Sequence, residues 1–83
     1  MRGTIRRIPI LPESGKFRLY CFIEVDRESY FLHSTEFQGH WFNDLCDPIK
    51  RNETVDVEFT PIDYEHEGVM KKRATAAKVI DAD

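Results

Sequence analysis

Four flat side chains fall at alternate positions of two short runs. Tyr20 and Phe22 lie in Arg18-Leu19-Tyr20-Cys21-Phe22-Ile23, and Phe31 and His33 lie in Tyr30-Phe31-Leu32-His33. If the runs are neighbouring strands, side-chain alternation places all four rings on one face. The opposite parity, Cys21, Ile23, Tyr30 and Leu32, is apolar enough to supply a core. The rings are then left toward solvent, where a contiguous apolar patch marks a binding surface. The chemistry open to such rings is stacking, and the ligand that offers flat groups on a charged thread is a single-stranded nucleic acid. An aromatic stripe is also what a buried core looks like. The availability of a second, fully apolar parity separates the two readings.

Cations flank the rings in three stretches: Arg2, Arg6 and Arg7; Lys16 and Arg18; Lys71, Lys72 and Arg73. Twelve Lys and Arg against fifteen Asp and Glu give a formal charge of −3. That balance excludes a protein held to nucleic acid by bulk charge, so affinity must come from local arrangement. No paired acid and base, nucleophile and base, or phosphate-cradling glycine loop stands at usable spacing, and the chain does not read as an enzyme. His33, His40, Cys46 and His66 match neither a Cys-x-x-Cys nor a His-x-x-x-His pattern, so no metal or other cofactor is implied. Cys21 and Cys46 could pair, but Cys21 sits mid-strand at an inward parity, and both are read as reduced thiols. The start, Met1-Arg2-Gly3-Thr4, has no apolar leader region, and no run approaches the roughly 18 apolar residues of a membrane span. The chain is expected to be cytoplasmic.

The elements that must hold these groups are short strands in a single domain, residues 1–83. A chain of this size buries only about 60% of the surface its unfolded form exposes, which favours one closed interior. The first strand is expected from Gly3 to Ile10, followed by a turn at Pro12-Glu13-Ser14-Gly15 and a second strand from about Phe17 to Val25. Asp26-Arg27-Glu28 is read as a three-residue connection to a third strand, Ser29 to His33. A single helical turn is expected after His33, and Asn43 to Asn52 reads as a long surface connection from which Leu45 reaches back to plug the interior. Val55, Val57 and Phe59 alternate with Asp56, Glu58 and Thr60 in strict period two, and Pro61 is expected to stop that strand. An acidic turn, Asp63 to Gly68, leads to a last strand, Lys71 to Ile80, where Ala74, Ala76 and Val79 fit close packing against neighbouring strands. Residues 81–83 are expected to fray. Five short strands with a long connection between the third and fourth describe an all-β, five-stranded antiparallel Greek-key barrel of the OB type.

From Arg2 to about Val79 the chain resembles the cold-shock domain family. Arg2-Gly3-Thr4-Ile5-Arg6 is similar to the family's opening basic-Gly-x-Val-Lys, Arg18 to Ile23 to its Lys-Gly-Phe-Gly-Phe-Ile, and Tyr30 to His33 to its Val-Phe-Val-His. Gln38-Gly39, Trp41-Phe42, Glu53 to Phe59 and Ala76-Ala77-Lys78-Val79 follow in the family's order. The resemblance implies a barrel that binds single-stranded RNA or DNA by stacking, as RNA chaperones and regulators do. Tyr20, Phe22, Phe31 and His33 would form its platform, Phe42 its extension and Trp41 a neighbour, with the backbone of the strand steered by Arg6, Arg7, Arg18, Lys71, Lys72 and Arg73. Arg7 stands where the family has an exposed tryptophan and Ser34 where it has an aromatic; Leu19 and Cys21 replace two glycines, and the preceding loop is longer. Two lost rings at roughly 1–3 kcal/mol each predict a weaker or differently selective binder. The alternative is a protein-interaction module that presents Trp41, Phe42 and the ring patch to another protein. A monomer or weak dimer is expected in either case.

Overall fold

A computed structural model describes residues 1–80; the expected fraying of 81–83 lies outside the described residues. The strands are β1 (Arg2–Ile5), β2 (Tyr20–Val25), β3 (Glu28–His33), β4 (Val55–His66) and β5 (Val69–Val79). Between β3 and β4 come a 3₁₀ turn at Ser34–Glu36, a π-helical stretch at Trp41–Cys46 and one turn of α-helix, α1 (Asp47–Lys50). The strands close into a barrel in the order β1-β2-β3-β5-β4.

The all-antiparallel expectation needs one correction. β3 and β5 run parallel, with Phe31 opposite Arg73, and a further parallel bridge joins Phe37 to Ala77. The other four neighbouring pairs are antiparallel. Parity requires this: around a closed ring of five strands, directions cannot alternate throughout, so one adjacent pair must agree. A parallel pair cannot be joined by a tight turn, which is why the chain spends residues 34–54 crossing from β3 to β4 before β5 can return.

The interior is filled by the parity the sequence assigned to it. Cys21, Ile23, Tyr30 and Leu32 are buried with Ile5, Val55, Val57 and Phe59, and Leu45 reaches back from the long connection into the same core, fully buried. β1 ends at Ile5, earlier than its composition suggests, although Ile8 remains in the core and Ile10 still bridges to Phe17. β2 likewise begins at Tyr20 rather than Phe17. The β2–β3 connection is two residues, Asp26-Arg27, because Val25 pairs with Glu28. Asp26 takes the left-handed conformation (φ 55°) that a tight hairpin demands and that a short polar side chain tolerates.

β4 does not stop at Pro61. Phe59 exchanges two backbone hydrogen bonds with Met1, so its N–H and C=O face β1, and Pro61, two residues on, faces the same side. The described pairing of β1 with β4 stops short of Pro61, so the missing N–H costs no ladder bond there and the strand continues to His66. On β5 the register slips: two steps of β4, Glu58 to Thr60, span three of β5, Lys78 to Thr75. Ala76 occupies the bulge with φ 50° and is exposed, so Ala74 and Ala77, rather than Ala74 and Ala76, reach the core.

Candidate nucleic-acid interface

β2 and β3 pair residue for residue, with Tyr20 opposite His33 and Phe22 opposite Phe31. This register brings the four outward rings together. The Tyr20 and Phe31 ring centres lie 5.6 Å apart and nearly parallel at 27°. Phe22 stands edge-on to both, 5.8 Å from Phe31 and 6.3 Å from Tyr20. His33 lies 6.5 Å beyond Phe31. These are favourable aromatic geometries, and they hold the tiles in place before any ligand arrives. Phe22 is 47% exposed, whereas Tyr20, Phe31 and His33 are half-buried by their neighbours. The imidazole is fixed from behind: Nδ1 accepts the Thr35 N–H at 3.2 Å, which leaves the proton of the neutral ring on Nε2.

The predicted cations divide by strand parity. Arg73 stands outward on β5 with its guanidinium 5.8 Å from the Phe31 ring centre, which adds a planar cation to the patch. Lys72, the adjacent residue, points to the other side. It meets Glu28 at 2.5 Å and lies over the ring of buried Tyr30, so it is not brought to the ring face as expected. This contact holds the Glu28 carboxyl below its usual range and raises Lys72, while desolvation and the hydrogen bond to Glu28 push the Tyr30 phenol up. Arg6 is likewise engaged, 2.6 Å from Glu24. Arg7, Arg18 and Lys71 are exposed, and none makes an ion pair among the described residues.

Grooves leave the ring patch in two directions. One, about 630 Å³, is walled by Leu11, Phe17, Leu19, Tyr20 and Phe42, with Lys16 and Arg18 at its rim. The other runs past Phe22 between Arg6, Arg7 and Lys50. Leu11, Leu19 and Lys50 were not expected at the site. Leu11 precedes a turn, Leu19 stands within a strand run and Lys50 sits beside Arg51 in the long connection, and none of these positions says where the chain will fold back.

Trp41 corrects a second expectation. It is 7% exposed, packs edge-on against Phe37 at 6.0 Å, and donates its indole N–H to the Arg18 carbonyl at 3.2 Å. The helical winding of 41–46 turns Trp41 and Leu45 inward and leaves Phe42 outward, 47% exposed. Trp41 supports the loop that carries Arg18 and has no face for a base, while Phe42 remains available.

Among the described residues no group of three or more His, Cys, Asp or Glu side chains is placed to hold a metal ion, and no helix is long and apolar enough to cross a membrane. No protein-family model and no curated protein matches the chain.

Proposed function

We propose that this domain binds single-stranded nucleic acid, RNA or DNA, by stacking bases on the outward rings of β2 and β3, and that its barrel is of the Greek-key OB type seen in cold-shock domains. One observation carries the reading. Tyr20, Phe22, Phe31 and His33 form a contiguous outward cluster while the opposite parity alone satisfies the core. Folding does not need these rings on the surface, and stacking does. Arg7, Arg18 and Arg73 supply positive charge at the margins of the cluster, and Phe42 offers a further ring along one groove. The strand order, with a long connection between β3 and β4, supports the Greek-key assignment. The cold-shock motifs support a role among cytoplasmic RNA chaperones and regulators.

A protein-interaction module is the second reading. It is favoured by the engagement of Arg6 and Lys72 with carboxylates, which leaves fewer free cations for phosphate. Fluorescence anisotropy of a labelled pyrimidine-rich 12-mer, as DNA and as RNA, separates the two. Stacking with phosphate contact predicts saturable binding that weakens with salt by about 0.7 log unit per log unit for each phosphate held. Four contacts, from Arg7, Arg18, Lys71 and Arg73, would give a slope of about −3. No saturation at low salt favours the protein partner. The oligonucleotide should carry the label, because Trp41 is covered.

A further inference from the structure

β4 and β5 continue past the barrel as a two-stranded arm. The β1 register with β4 runs to Glu58, and β3 meets β5 at Arg73, so residues 63–66 and 69–72 have only each other as strand partners among the described pairings. Alternation gives the arm two unlike faces. Ile62, Tyr64 and His66 pair across with Arg73, Lys71 and Val69, while Asp63 and Glu65 pair with Lys72 and Met70.

Side-chain contacts identify the faces. Arg73 lies on Phe31, so the first set is continuous with the ring cluster; Lys72 lies on buried Tyr30, so the second belongs to the inward side. The continuous face carries Lys71 and Arg73 and no carboxylate. The carboxylates of the paired segment, Asp63 and Glu65, are confined to the opposite face. Arg73 also holds a buried Nε with no acceptor, an unmet donor at the junction of barrel and arm.

We propose, resting on the stacking reading above, that the outward face of this arm is a second contact for the same nucleic-acid strand as it leaves Phe31. Lys71 and Arg73 meet its phosphates, and Tyr64 and His66 offer rings to its bases. From Arg73 to Val69 the face extends about 13 Å at about 3.3 Å per residue, which accommodates about four nucleotides at a stacked spacing of about 3.4 Å. The occupant is set by continuity with the ring cluster and by the charge segregation.

The test compares labelled oligothymidylates of six and twelve nucleotides, with thermal unfolding to verify each variant. Lys71→Gln and Tyr64→Ala should each weaken the 12-mer about tenfold and the 6-mer less than about twofold. Lys71→Gln should also reduce the salt slope of the 12-mer by about 0.7. Lys71 is exposed, so its variant decides the matter if Tyr64→Ala loosens the arm. Met70→Glu makes the same charge change on the opposite face and should leave the 12-mer within about twofold. Equal losses on both lengths, or a Met70→Glu loss as large as that of Lys71→Gln, would overturn the arm contact while leaving the ring cluster in place. If the unaltered protein binds neither strand, the arm contact and the stacking reading fall together.

Discussion

Neighbouring residues in β2 have opposite duties, and the contrast between Phe22 and Ile23 makes the face assignment measurable. Phe22 is 47% exposed and stands edge-on to two other rings, whereas Ile23 is fully buried. Phe22→Ala should cost about 1–3 kcal/mol of strand affinity and move the urea midpoint little. Ile23→Ala should lower the unfolding free energy by about 2–5 kcal/mol, the range for a core deletion, and affect binding only through loss of fold. Phe31 lies between these cases, since it packs against Tyr20, Phe22, His33 and Arg73, so Phe31→Ala should lose both affinity and some stability. Urea unfolding run beside anisotropy on the three variants checks the ordering. A Phe22→Ala protein that unfolds as readily as Ile23→Ala would invert the faces.

At the level of elements, the local signals and a closed barrel were legible, and the strand directions that closure imposes were not. Period-two alternation named the inward set of β2, β3 and β4 because each strand has one buried face. The parallel β3–β5 contact came from no strand's own composition; it follows from closing an odd number of strands. Pro61 reads as a stop in the sequence, but a proline forbids only one hydrogen bond, and whether that bond is needed depends on how far the β1 pairing runs along β4. Trp41 reads as a neighbour of Phe42 at the ring patch, yet the helical winding of 41–46 turns the two to different sides, Trp41 inward and Phe42 outward. Gly3 shows what closure asks of β1. A Cβ there would collide with the side chains of Ile23 and Val25 and come within 2.9 Å of the Glu24 carbonyl. Gly3→Ala should therefore destabilise by about 1–3 kcal/mol, the usual cost of overpacking, despite alanine's lower backbone entropy in the unfolded chain. Chemical denaturation would read it, and an unchanged midpoint would mean that β1 can lift off β2 without cost.

For the molecule as a whole, the core carries a pH limit of its own. Cys21 and Cys46 are free and buried, and burial pushes their thiols from 9.0 up to about 12 and about 11. A neighbouring charge acts in the same direction on each, Cys46 on Cys21 and Asp47 on Cys46. Above pH 9 the unfolded chain therefore releases these protons while the folded barrel keeps them. The unfolded state then binds fewer protons, and stability falls as pH rises, by up to about 1.4 kcal/mol per pH unit for each thiol. The fall begins near 9 and flattens as each folded value is passed. Lys72, raised by its contact with Glu28, acts in the same sense, and a chain already at −3 gains further negative charge. The thiol share is isolated by comparing the unaltered protein with a Cys21→Ala/Cys46→Ala variant, since Lys72 and the net charge up to pH 9 are common to both. Denaturant unfolding from pH 8 to 11 should give a steeper decline in the unaltered protein, even though the variant starts lower from its lost core volume. Parallel curves would mean that the thiols ionise in place, and that the barrel beneath the ring cluster is open to water.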